Sequence, residues 1–429
     1  MHKKLKALIK DLRQQGPLIF LDSQSQEHPS SQKSYLAAVP DASIEAFENQ
    51  IVIHHSGGER ETYTSNPWEA LKQFRKLYPG RHYGWFGYDL KNNIEKLSSE
   101  NPDNVGLPDM FFMRPTKVYE VEPGLNQIDK YNEQKVEKDT SGQDPLELSN
   151  LRSGVTETEY LAIINKAKQL IEEGEFYEIN ITHQLQADFQ GDPLSLYETM
   201  RNRGPVPFGA YIHYDKASIC CASPERFLRK QGRVVTSEPI KGTSRRGVNR
   251  KEDMALQEDL RNSAKNKAEN IMIVDLVRND LSRIARQGSV HVDKIYQLQT
   301  FNTLHQMVST ITAEMDDKTD AVDAVRACFP MGSMTGAPKI RSMEYIEQLE
   351  SYKRGIYSGA IGYFTEDDNF DFNVVIRTAI VKNARLSYSI GGAITADSDP
   401  HEEWEETWIK ARALTGWQNE DVLSTRDIR

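Results

Sequence analysis

The chain has 429 residues, 38% of them hydrophobic and 27% charged, with a formal net charge of −10. That length suits two or three domains or one large intertwined fold, and the acidic balance argues against a non-specific nucleic-acid binder. Apolar runs such as 271–274 fall far short of a membrane span, and no signal-peptide pattern follows the basic N-terminus, so the cytoplasm is the expected address.

Residues 1–128 mix short apolar runs with turn residues and are expected to form an N-terminal region. The charged stretch 129–150, with Gly142 and Pro145, reads as a linker or surface loop before a catalytic region over 151–429. Thr156 and Glu159 form a capping-box pattern, followed by Leu161, Ile164, Ala167 and Ile171 at helical spacing, with Gly174 as a stop. Strands are predicted at 210–214 and 217–221, and a hairpin over 226–237 turns at Gln231-Gly232. Cys220 and Cys221 fall in these runs, and with Cys328 they form neither a disulfide framework nor a zinc pattern. One long helix is predicted from 252 to about 276, and another opens at Pro338 with Ile340, Met343, Ile346 and Leu349 on one face. Two β runs, 356–364 and 371–382, precede a third, 385–390, which enters Gly391-Gly392. A last helix from about 402 carries Trp404, Trp408, Ala411 and Leu414. Hairpins alternating with separate helices suggest an α+β fold, with antiparallel sheets covered by helices.

Five segments carry chemistry. In Pro239-Ile240-Lys241-Gly242-Thr243-Ser244-Arg245-Arg246, a lysine sits where a strand gives way to a tight turn. Gly242 lets a ligand approach the backbone, Thr243 offers a donor, and the two arginines favour a neutral, nucleophilic amine. In isolation, K-G-T is more simply a hairpin end with solvated cations. Glu269 leads directly into an apolar helix, while Asp275, Arg278 and Asp280 beyond it read as ion pairs along that helix. Glu403 and Glu406 share a helix face at i, i+3. Acidic first turns commonly answer the helix dipole, but with Glu269 these carboxylates suit Mg²⁺, which takes few protein oxygens and completes its shell with substrate. His305, lone among apolar residues, is either a core side chain or a general acid. The glycines and hydroxyls of 329–339, including Ser333, precede a helix start and make an anion site that is not a P-loop. Tyr363 and Arg377 on the flanking β runs add a hydroxyl and a carboxylate fork. The inventory suits a small dicarboxylate bound through magnesium.

In this order, the motifs PIKGTSRR, KAENIMIVDLVRNDLSR, FPMGSMTGAPKIRSMEYIEQLE, YSGAIGYF, FNVVIRTA and EEWEETWIKARAL resemble those of the chorismate-utilising enzymes, over about residues 155–415. Weaker echoes occur at Phe20-Leu21-Asp22-Ser23, at 84–90 and at 204–208, segments between which relatives bind tryptophan. The resemblance implies two largely antiparallel sheets packed between helices. It implies Glu269 and Glu406 as Mg²⁺ ligands with Glu403 close by. Gly242, Thr243, Ser333, Tyr363, Arg377 and the Gly391-Gly392 backbone would hold the carboxylates of chorismate, with His305 as the acid–base residue. Relatives usually carry an acid three residues before the matching glutamate, where this chain has Asn266.

Lys241 separates branches of the family. Anthranilate synthases usually read PIAGT, whereas PIKGT resembles component I of aminodeoxychorismate synthase, a transaminase-type step on the way to p-aminobenzoate and folate. A lysine that adds at ring carbon 2 and is then displaced from carbon 4 by ammonia accounts for that chemistry. No Gly-x-Cys-x-Gly elbow occurs, so a separate glutaminase subunit is the expected source of ammonia. The rival expectations are anthranilate synthase component I and a non-catalytic regulator that binds chorismate or tryptophan.

Overall fold

The computed structural model describes residues 1–24, 33–121, 146–300 and 304–415. Every strand pairing between named strands among them is antiparallel, and the strand Ser34–Phe47 organises them. Its first half pairs with Leu18–Asp22, its second half with Gln50–His54, and Met110–Val121 runs beside both. The register shifts between Pro40 and Ala42, where a proline lacks the N–H that a continuous ladder needs.

From the first half the sheet runs through Phe208–Tyr214, Ala217–Ser223, Thr378–Lys382 and Arg385–Ile394 to Glu178–Gln190. From the second half it runs through His82–Phe86, Ala360–Phe364, Phe370–Asn373, Arg226–Gln231 and Val234–Glu238 to Leu304–Glu314. The result is an α+β fold with one large antiparallel sheet flanked by helices; because Ser34–Phe47 and Met110–Val121 continue through both halves, pairing alone does not delimit two sheets. Residues 1–128 and 151–429 share this sheet, through Leu18–Asp22 beside Phe208–Tyr214 and His82–Phe86 beside Ala360–Phe364.

Alternation along the strands divides the core. Leu18, Phe20 and Tyr211 pack with Tyr160, Ile164, Trp404 and Trp408 of the helices Glu157–Glu172 and Pro400–Thr415. Phe86, Phe112 and Phe372 pack with Trp68, Ile273 and Val325 of three other helices. A third cluster takes alternate residues from both halves: Ile19, Ala37 and Ile212 with Trp85, Phe111 and Ile361.

The Thr156–Glu159 capping box forms in both directions. The long helix predicted over 252–276 is two helices, Arg250–Asn262 and Ala264–Ser282. Ser263 breaks it by leaving helical geometry and accepting the Asn266 N–H, which caps the second helix. The run predicted at 371–382 also splits, into Phe370–Asn373 and Thr378–Lys382, because Arg377 adopts a left-handed φ of 51°. The run predicted at 356–364 is strand only over Ala360–Phe364, and Pro338 caps the helix Lys339–Leu349 from outside it. Most of the bridge expected at 129–150 lies outside the described residues; its end enters the strand Glu147–Ser153. Leu414 lies in the last helix, its side chain outside those described. No described helix is long and apolar enough to cross a membrane.

Candidate functional site

Lys241 lies in the strand Ile240–Arg245, whose register against Leu304–Glu314 shifts between Ile240 and Thr243. Gly242 takes a φ of 84°, and a Cβ there would meet Asn266 Cγ at 2.9 Å, so glycine is required on both counts. Beyond it Thr243 pairs with Gln306. The shift turns Lys241 inward, where it is 8% exposed and its Nζ donates a short hydrogen bond to Glu178 Oε1. Glu178 is 1% exposed, at the start of Glu178–Gln190, and its Oε2 has no hydrogen-bond partner among the described residues. Burial alone would lower the Lys241 pKa, but Glu178, then Glu269 and Glu225, more than offset it and hold the group as an ammonium. The arginines expected to favour the neutral amine are taken up elsewhere: Arg245 pairs with Glu252 at 2.5 Å and Arg246 with Asp253 at 2.8 Å.

Glu225 occupies the turn between Ala217–Ser223 and Arg226–Gln231 and is 5% exposed. Ser333 Oγ donates to its Oε1 at 2.8 Å. Burial pushes the Glu225 pKa up to about 7, against the opposing pull of Ser333, Lys241 and Arg377, so it can hold a proton near neutrality. A cavity of about 20 Å³ beside it, walled by Ser333, Gly332 and Asp280, has room for one water. The Arg377 backbone is pinned by the Ala222 N–H at 3.1 Å, while its guanidinium forms no ion pair among the described residues. Burial lowers its pKa, with Tyr388 and Glu225 opposing. A half-buried guanidinium whose nearest acid, Glu225, can hold a proton near neutrality is a receptor for an anion.

Four helix-borne groups approach from the other side. Burial raises the pKa of Glu269, on Ala264–Ser282, with Lys241 opposing and Glu178 and Glu403 adding to the rise. Burial also raises Glu403, which accepts from Ser398 Oγ at 2.8 Å and is pushed further by Glu406. Glu406, an exposed side chain, is itself lowered: partial desolvation opposes ionisation, but Lys410, 2.7 Å away, outweighs it. Lys410 also donates to the Gly391 carbonyl at 2.7 Å, and a Cβ on Gly392 would lie 3.1 Å from Glu403 Oε2, so the Gly391-Gly392 backbone borders these acids. Among the described residues, no three or more potential ligands are already gathered around a point that would hold a metal ion. The carboxylates of Glu269, Glu403 and Glu406 nonetheless fit magnesium, being hard oxygens that raise one another's pKa.

Two predicted residues are placed elsewhere. Tyr363 alternates away from Phe364 on its strand and joins Tyr35 and Tyr83, with ring centroids 5.3 and 5.7 Å away. It lines a separate cavity of about 280 Å³ with Asp22, Lys33, Phe208 and Arg229. His305 is fully buried beneath the helix Arg250–Asn262; its Nε2 meets Asp253 Oδ1 at 2.9 Å and its Nδ1 meets Thr300 Oγ1 at 2.9 Å. Residues 301–303 of the same segment lie outside the described residues. Glu178 and Glu225 escaped the sequence reading. Their available signal was an acid inside or beside an apolar strand run, a position where carboxylates are seldom left without a role.

A family model described as chorismate binding enzyme matches residues 16–416. Aminodeoxychorismate synthase of Streptomyces griseus is 47% identical over 272 residues, covering 63% of this chain and 37% of that protein. The chain thus spans little more than a third of the length of that relative. Aminodeoxychorismate synthase component 1 of Escherichia coli is 32% identical over 92% of each chain, and anthranilate synthase component 1 of Aquifex aeolicus is 33% identical over 84% of this chain and 81% of its own. The crystal structure of anthranilate synthase component I from Streptococcus pneumoniae superposes with a TM-score of 0.78 at 27% identity, covering 91% of this chain and 93% of that one.

Proposed function

Since the chain belongs to the chorismate binding enzyme family, we propose that it is the aminating component of an aminodeoxychorismate synthase, making 4-amino-4-deoxychorismate from chorismate and ammonia. The observation that carries this reading is the buried Lys241, which lies within electrostatic range of Glu225 and Glu269. Its carboxylate neighbours hold it as an ammonium in the resting state, so it becomes a nucleophile by passing a proton to one of them.

Arg377, Gly242, Thr243 and the Gly391-Gly392 backbone orient the substrate carboxylates, with Ser333 linking that pocket to Glu225. The Lys241 amine adds at ring carbon 2, the ring double bonds shift, and the carbon-4 C–O bond breaks. Glu225, protonated near neutrality, gives its proton to the departing hydroxyl, which leaves as water. Ammonia then adds at carbon 4, the double bonds shift back, the C–N bond to Lys241 breaks, and the surplus proton of the new amine returns to Glu225. Glu269, Glu403 and Glu406 would hold Mg²⁺, which supplies positive charge against the ring carboxylate when bound. His305, locked between Asp253 and Thr300, steadies the strand behind Lys241 and is the second acid–base candidate.

Ammonia comes from a separate glutaminase subunit, the protein works in the cytoplasm, and its product feeds p-aminobenzoate and folate synthesis. We read the sheet as two packed layers between helices, because one apolar cluster draws alternate residues from both halves. The region before 129 and the region after 150 then act as an N-terminal and a catalytic unit of one fold.

The test is direct. Protein with chorismate, Mg²⁺ and ammonium salt is expected to yield a product that an added aminodeoxychorismate lyase converts to p-aminobenzoate. Direct appearance of anthranilate fluorescence would make the chain an anthranilate synthase component I. Tight chorismate binding without turnover would make it a regulator.

A further inference from the structure

We propose that Glu178 is the positioning residue for Lys241: it fixes the ammonium in place before substrate binds and accepts its proton when the amine attacks. The inference rests on the reading of Lys241 as nucleophile and deepens it.

A nucleophilic lysine must be neutral at the moment of attack, yet this one is held charged. Its proton therefore has to go somewhere, and Lys241 is almost closed to solvent. The groups that face the amine can be taken in turn. From the turn before Arg226–Gln231, Glu225 is engaged by Ser333. From Ala264–Ser282, Glu269 and Lys265 act on this cluster through space. From Pro400–Thr415, Glu403 is bonded to Ser398, and Glu406 and Lys410 are bonded to each other. Arg377, from the left-handed turn, is an opposing cation near Glu225. Only Glu178 contacts the Lys241 amine among the described residues.

Its backbone is equally fixed. Glu178 pairs with Ala337, its neighbour Ile179 pairs with Gly336 and Ile394, and its carbonyl accepts from Ser342 Oγ at 3.4 Å. The position nearest Gly242 on the facing helix is Asn266, an amide rather than an acid, so no carboxylate competes from there. The transfer balances within the pair: ammonium and carboxylate become amine and carboxylic acid, and no proton passes to water. When ammonia later expels the lysine, the proton returns along the same hydrogen bond. Glu178 Oε2, with no hydrogen-bond partner among the described residues, leaves the acid form free to turn and hold that proton.

The experiment follows formation of the Lys241–substrate adduct by rapid quench and intact-mass analysis, with chorismate and saturating Mg²⁺ but no ammonium, from about pH 5.5 to about pH 7. In the unmodified protein the pair carries one shared proton throughout, so the rate of adduct formation stays constant within about twofold. Glu178→Gln keeps the shape and can still accept from Lys241, but it cannot take the proton. Its rate is expected to rise about tenfold per pH unit and to lie at least about tenfold below the unmodified protein at pH 6. Glu178→Asp, which restores an acid, is expected to restore the flat profile.

A Glu178→Gln profile that is flat and unreduced overturns the proposal while leaving Lys241 as nucleophile. A rate in the unmodified protein that climbs tenfold per pH unit also overturns it, independently of how any variant folds. An adduct that persists in Lys241→Ala, or turnover with no adduct in the unmodified protein, removes the nucleophile reading, and the role of Glu178 falls with it.

Discussion

The surroundings of Lys241 and the larger cavity near the N-terminal strands are both rich in buried charge, yet they treat it in opposite ways. Around the cavity the lining carboxylates are ion-paired, although Asp22 Oδ1 accepts no hydrogen bond among the described residues. Asp22 accepts from Tyr197 at 2.9 Å and Arg201 at 2.7 Å, and Asp371 accepts from Arg226 at 2.9 and 3.0 Å. Around Lys241 the pairing is looser: among the described residues Arg377 forms no ion pair and Glu178 Oε2 accepts no hydrogen bond, and the pKa values of Glu225, Glu269 and Glu403 are all raised. Ion pairs between strands hold a fold in register, whereas charge left open in the interior awaits a ligand that brings the missing partner.

The predictions break that contrast from its strongest point outward. Lys241→Ala is expected to lower the rate of 4-amino-4-deoxychorismate formation by about 10⁴-fold or more, read by the coupled lyase assay, because no other amine reaches the same place. Glu225→Gln should cost about 10³-fold, and its signature lies in the pH profile. Glu225 gives up its proton as pH rises through about 7, so the unmodified protein loses rate above that value and the glutamine variant has no such limb. The same shift bears on stability. The ligand-free folded chain binds this proton more tightly than the unfolded chain does, so this contribution declines as pH rises from about 4.5 to about 7. Denaturant titrations of Glu225→Gln should lack that part of the slope. Arg377→Gln should raise KM for chorismate by about 100-fold with a smaller change in kcat, since it removes the cation that awaits a carboxylate.

Much of this site is readable in the chain because its parts sit in short linear motifs whose local geometry is self-determined. Gly242 is glycine for reasons of φ and of the Asn266 contact, and Glu403 and Glu406 share a helix face by spacing alone. What stayed hidden depends on which strand lies opposite. Glu178 precedes Lys241 by 63 residues and reaches it although their strands share no ladder among the described residues, a meeting made by the whole fold that no local pattern encodes. That contact reverses the expected sign at Lys241: Arg245 and Arg246 point to a neutral amine when read in sequence, but both are neutralised by the helix Arg250–Asn262. The architecture divides in the same way. The antiparallel pattern and the helices were legible, whereas the passage of Ser34–Phe47 through both halves of the sheet was not, because it depends on a register shift at Pro40 and on partners far along the chain.

Tyr363 gives the smallest and most discriminating test of the contrast between the two regions. Its motif places it beside Arg377 in the sequence reading, and a hydroxyl for a carboxylate was the natural expectation. On the strand Ala360–Phe364, however, successive side chains leave opposite faces: Phe364 goes to the aromatic cluster with Phe86 and Phe112, and Tyr363 goes to the opposite face with Tyr35 and Tyr83. The wall it shares with Asp22 and Arg229 belongs to the paired region. Tyr363→Phe removes only the hydroxyl, and it is expected to leave kcat and KM for chorismate within about twofold, as for a group outside the reacting pocket. A rise in KM of more than about tenfold would instead join the two regions into one site and return Tyr363 to the substrate carboxylates.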